Sequence, residues 1–131
     1  MAGIPLNTFK TYTKTVPYLD PTSTTPPGLP IISNPYFVYQ APPGTTGIIL
    51  YLQVANTDLV DTHASSAWHY RPSALTYTNI VLNVPCPVAD TRIMLGGKLV
   101  LETGDMLYVS TDDVTGTYMK MIASLLESAN Q

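Results

Sequence analysis

Short β-forming runs follow one another along this chain, each cut off by Pro, Gly, Asp or Asn, and that rhythm limits the folds open to it. Asn7 to Val16 is rich in Thr, Phe, Tyr and Val, residues that suit a pleated surface. Tyr36 to Gln40 is a short strand closed by Ala41-Pro42-Pro43-Gly44. Gly47 to Asn56 alternates most clearly, with Ile48, Leu50, Leu52 and Val54 on one face; Ile49 and Tyr51 make the other face partly apolar, as in a central strand. A loop is expected over Thr57 to Ser66 and a strand over Ala67 to Tyr70. Leu75 to Val84 alternates again, with Ile80, Leu82 and Val84 together. Arg92 to Leu95 and Lys98 to Leu101 flank Gly96-Gly97, a hairpin signal. Met106 to Ser110 and Tyr118 to Leu126 complete the set; Met119, Met121, Ala123 and Leu125 point inward. Met, Lys and Leu would also suit a helix there, but the clean alternation and the weak start at Gly116-Thr117 favour a strand.

These runs predict an all-β chain: an antiparallel β-sandwich or jelly-roll-like single domain over residues 36–131. The first 35 residues read differently, as an N-terminal strand and an extended proline-rich arm. Six prolines stand between positions 17 and 35. Each fixes φ, removes a backbone donor and restricts the residue before it, so this segment is neither helix nor central strand. It either inserts a long loop or extends onto a neighbour.

Composition excludes several roles. At 131 residues and 45% hydrophobic the chain can bury a core without disulfides. Charged residues are only 11%, less than half the usual share, which suits a surface hidden against partners. The net charge is −3 and the six cations are scattered, so no basic patch for nucleic acid is expected. Met1 to Pro5 lacks the charged and apolar regions of a signal peptide, and no stretch approaches the roughly 20 apolar residues of a membrane span. Cys86, the only cysteine, sits among prolines and valines and reads as a small buried hydrophobe.

Chemistry-bearing residues occur only as fragments. Asp61, His63 and His69 lack a further metal ligand; a solvated loop His63 and a half-buried His69 beside Trp68 are the expectation. Asp61, His63 and Ser65 have triad letters but not triad spacing. Gly96-Gly97-Lys98 is followed by Leu99 and a strand, unlike a phosphate loop. Asp112-Asp113 reads as a solvated pair of acids in a turn rather than a calcium site. No catalytic residue, metal or cofactor is expected. Trp68, Tyr70 and Tyr77 could serve a sugar, a protein interface or the core.

Several pieces, in order, resemble one family of small tailed-bacteriophage virion proteins. They are Thr8-Phe9-Lys10-x-Tyr12-Thr13, the run from Ala41 to Leu50, Leu52 to Asn56, Val84-Pro85-x-Pro87-Val88-Ala89-Asp90, and the stretch from Gly97 through Gly104-Asp105 to Val109. The resemblance covers about three quarters of the chain, leaving out residues 17–35 and 57–66. It implies a structural protein of a phage particle, assembled in the host cytoplasm, with a β-sandwich core and no enzymatic activity. The favoured role is a capsid cement or decoration protein that oligomerises and bridges subunits of the major capsid protein. A neck, tail or fibre-adaptor component, and a carbohydrate-binding receptor module, are the alternatives. The proline-rich stretch departs from the short link usual after the first strand; prolines would lower the entropy lost when such an arm docks. On that reading the contacts come from the arm and from the loop 57–66, with Phe9, Tyr12, Tyr18, Leu29, Ile31, Ile32 and Trp68 as anchors.

Overall fold

The computed structural model describes residues 7–22 and 34–129. They form strands β1 (Asn7–Thr15), β2 (Phe37–Gln40), β3 (Thr45–Asn56), β4 (His63–Arg71), β5 (Thr76–Cys86), β6 (Thr91–Ile93), β7 (Leu99–Leu101), β8 (Met106–Thr111) and β9 (Met119–Ala129), with no helix among them. One sheet runs β1-β9-β3-β6, with β7 also on β3; the second runs β2-β8-β4-β5, and every ladder is antiparallel. The two sheets pack face to face as a β-sandwich.

The expected hairpin at Gly96-Gly97 does not form. Both β6 and β7 pair with the same edge of β3, at Gln53–Ala55 and at Gly47–Ile49, so they are two halves of one interrupted edge strand. Buried Met94, whose N–H donates to the Leu52 carbonyl at 2.8 Å, pins the interruption. Counted as one strand, β6 and β7 complete the eight-stranded order of a jelly roll, with neighbours joined across the two sheets.

Between the sheets lie Ile49, Leu52, Val54, Leu101, Leu107, Val109, Met119, Met121, Ala123 and Leu125. The β9 alternation is as expected. In β3 a bulge between Ile49 and Tyr51 breaks the period of two. Ile49 therefore turns inward with Leu52 and Val54, and Leu50 is pushed outward, against the simple alternation. A second bulge in β5, with Asn83 at φ 50°, likewise turns Leu82 outward. Gly47 is needed where Tyr39 crosses β3: a Cβ there would come within 2.9 Å of the ring.

The N-terminal strand expected within residues 1–35 is β1, and it belongs to the sandwich. β1 pairs with β9 at nine positions and is an integral strand, because its Thr-rich sequence with Phe9 and Tyr12 is a good ladder partner. Beyond β1 the chain folds back. The Leu19 N–H donates to the Thr111 carbonyl, the Thr111 N–H to the Pro17 carbonyl, and the Val109 N–H to the Tyr36 carbonyl. Leu19, Tyr36 and Phe37 thereby lie on the outer face of the four-stranded sheet, over Trp68, Tyr70, Met106 and Tyr108. Leu29, Ile31 and Ile32 lie outside the described residues.

Candidate functional site

Three loops meet at one end of the sandwich: residues 57–62, 87–90 and 112–118. Each carries an apolar tip into solvent. Leu59 is 79% exposed, Val60 80% and Val114 75%, with Val88 less exposed beside them. An exposed apolar residue alone needs no explanation, but a group of them on one end marks a contact surface.

The loops are held by buried polar side chains. Asp58 accepts a hydrogen bond from the Val60 N–H at 2.9 Å and pairs with His63 Nε2 at 2.8 Å. Those partners hold the Asp58 carboxyl below its ordinary range, the His63 bond being the largest cause. The other His63 nitrogen lies 3.7 Å from Asp112, and its ring stacks on Tyr118 at 5.8 Å between centroids. Asn56 donates to the carbonyls of Asp61 and Cys86. The Ala89 N–H reaches the Asp58 carbonyl, and the Thr57 N–H the Tyr118 carbonyl, which ties the loops to one another. Asp113 is buried, and burial works against its ionisation. The N–H groups of Tyr118, Thr115 and Thr117 and the Thr115 hydroxyl outweigh that and hold its carboxyl below the ordinary range. The tips are therefore displayed by a rigid frame, which lowers the ordering entropy of docking.

This geometry corrects two expectations. His63 is not a solvated loop residue; it opens β4, mostly buried between two aspartates, because Asp58 is close enough to pair with it. Asp113 is not a solvated acid; backbone donors surround it, an arrangement that favours an anion over a bound cation. Among the described residues no group of three or more His, Cys, Asp or Glu could hold a metal ion. At the opposite end, His69 faces inward and pairs with buried Asp105 at 2.9 Å, which also takes Arg71 at 2.9 Å. Arg71 reaches Glu102 as well, at 3.0 Å. Burial raises the Asp105 pKa, but Arg71 and His69 more than offset it. Cys86 is buried, and burial pushes its thiol up.

The sequence-predicted anchors separate. Phe9 stands 74% exposed on β1. Tyr12 instead turns toward the core, its ring 5.4 Å from that of Tyr39, whose hydroxyl donates to Glu127 at 2.6 Å. Tyr18 is half-exposed, and its carbonyl accepts from the Tyr36 hydroxyl. Trp68, only 1% exposed, is a core residue and cannot anchor a partner: Leu19 and the aromatic cluster around it cover its ring. Leu59 and Val60 fall within the loop singled out from sequence. Val88 and Val114 join them only through the fold, and no local signal marks them.

A second surface is the outer face of the five-stranded sheet. Register aligns Phe9, Leu126, Ile48 and Val100 in one row across four strands. Thr13, Ile122, Gln53 and Ile93 make another. A groove of about 550 Å³ opens on this face between Thr13, Thr15, Gln53, Ala55 and Lys120. Lys120 stands on this face; Lys14 also borders the groove but takes an inward position of β1, opposite Met121, and burial lowers its pKa.

No family model and no curated protein matches the sequence.

Proposed function

We propose that this protein is a structural virion component of the capsid cement or decoration type, working by surface contact and not by catalysis. The observation that carries the reading is the apolar end: Leu59, Val60 and Val114 held out in water by a buried polar frame. Such a frame stabilises an exposed apolar surface only usefully if something covers that surface. Jelly rolls occur among viral capsid and lectin domains, which agrees with the reading by analogy of fold alone. A protein that binds across a seam stabilises the assembled state by mass action, because the bound surface exists only there. Trp68 and Tyr70 are buried, so they offer no flat face to a sugar ring, and the carbohydrate-binding alternative loses two of its three aromatic residues.

The test is copy number. Quantitative mass spectrometry of purified particles should give a ratio to the major capsid protein near one, or a simple fraction of it. A double variant, Leu59→Glu with Val60→Glu, should fold normally and be lost from particles. A handful of copies would instead indicate a neck, tail or fibre-adaptor place. Absence from particles would sink every virion reading.

A further inference from the structure

We propose that the outer face of the five-stranded sheet is the interface of a twofold dimer, with a second copy of this chain as its occupant. An antiparallel sheet that faces water on one side normally alternates apolar-in and polar-out. Here the threonines, serines and Gln53 of the outer face keep that rule, but a set of apolar residues among them breaks it. The row Phe9, Leu126, Ile48 and Val100 is apolar from one edge of the sheet to the other, and Ile93 on β6 is 63% exposed. Among the outward positions of the paired residues the only charge is Lys120, opposite Thr15 and Ala55, and none is an acid.

A neutral face gives a strongly charged partner nothing to pair with, but it is compatible with itself. An isologous contact needs that property, since each residue meets the same patch on the other copy. A twofold axis lying across the strands at the level of Ser124 stacks β9 on an antiparallel copy of itself. It sends the two Lys120 side chains to opposite ends, so the one charge on the face is never opposed by its equivalent. The size fits. Four strand positions and eleven residues of β9 span about 19 Å by about 35 Å, on the order of 650 Å². A standard interface buries about 800 Å² of accessible surface per partner.

The edge of the same sheet is defended while the face is not. Lys10 and Lys14 on β1 alternate with the outward threonines and point toward the core side, where Lys10 is held by Glu127 at 3.1 Å. Inward-pointing charges on an edge strand deter strand addition. Growth of the sheet through β1 is thus discouraged, and stacking on its face is left open. The inference does not rest on the cement reading; Leu59, Val60 and Val114 lie on loops, off this face.

Sedimentation equilibrium of the full chain tests it. The wild type should be dimeric in the micromolar range. Phe9→Lys with Ile93→Lys, both at exposed positions, should keep the wild-type circular dichroism and weaken dimerisation at least about 100-fold, because each introduced charge enters the contact twice. Leu59→Glu with Val60→Glu should leave the dimer intact. A wild type that stays monomeric up to about 200 µM overturns the proposal. So does a dimer unmoved by the Phe9 and Ile93 changes, or one lost on changing Leu59 and Val60. Particle incorporation is a separate readout, so failure of the cement reading would leave these outcomes unchanged.

Discussion

The two sheets share a problem and treat it differently. Each carries apolar residues on its outer as well as its inner face, so closing the sandwich does not by itself remove all of them from water. On the four-stranded sheet the chain covers its own outer face: Trp68, Tyr70, Met106 and Tyr108 are buried with Leu19, Tyr36 and Phe37 packed against them. On the five-stranded sheet Phe9, Tyr51, Ile93 and Val100 stay exposed. The contrast shows that outward apolar residues do not by themselves identify a docking surface. Trp68 is the most conspicuous aromatic in the sequence, yet it is core. The informative face is the one that no described residue covers.

The largest effect separates the faces directly. Trp68→Ala should destabilise the fold by about 3–5 kcal/mol, the usual loss for a large buried aromatic. Urea denaturation checks this. A loss below about 1 kcal/mol would mean that the cover over Trp68 is loose and that the two outer faces are alike after all.

The next effect concerns the frame of the apolar end. Asp113→Ala removes the acceptor for three backbone N–H groups and one hydroxyl. It should cost about 1–3 kcal/mol, as for buried donors left unsatisfied. Asp58, Asp105 and Asp113 all have carboxyl groups held below the ordinary range. A depressed folded-state pKa adds stability that is fully present above the unfolded value, near 4, and is lost as pH falls through the folded value. Stability from these groups should therefore not change between about pH 7 and pH 5 and should fall below about pH 4. Asp113→Ala should lessen that acid dependence. An unfolding free energy that varied just as steeply in the variant would remove Asp113 from the frame.

Much of this fold is legible in the sequence, and the failures have identifiable causes. The inward set of β9 follows from alternation alone, because that strand carries no bulge between Met119 and Leu125. In β3 one extra residue at Leu50 shifts the parity, and a period of two cannot register an insertion. Gly96-Gly97 carries a real turn signal, but pairing partners are chosen in three dimensions, and both flanking segments found β3. His63 looked solvated because its partners, Asp58 and Asp112, come from different loops. The loop bearing Leu59 and Val60 was visible as a candidate; the rest of the apolar end was not, since Val88 and Val114 reach it through tertiary contacts. The bare face was the least legible feature. Its rows take single residues from β1, β9, β3, β6 and β7, and of these strands only β6 and β7 lie close together in sequence.

The smallest effect is the sharpest test of the comparison. Phe9→Ser with Ile93→Ser removes two large apolar side chains, as Trp68→Ala removes one. In dilute solution, where the chain is a monomer, the double change should alter stability by less than about 0.5 kcal/mol per site, because neither side chain is buried there. The difference should emerge with concentration. Association adds stability to the folded state by mass action, so the wild-type melting temperature should climb as protein concentration rises. That of the double variant should stay level. A serine variant already destabilised when dilute would show that Phe9 and Ile93 are packed within the monomer, and the five-stranded face would then be covered by its own chain, as the other one is.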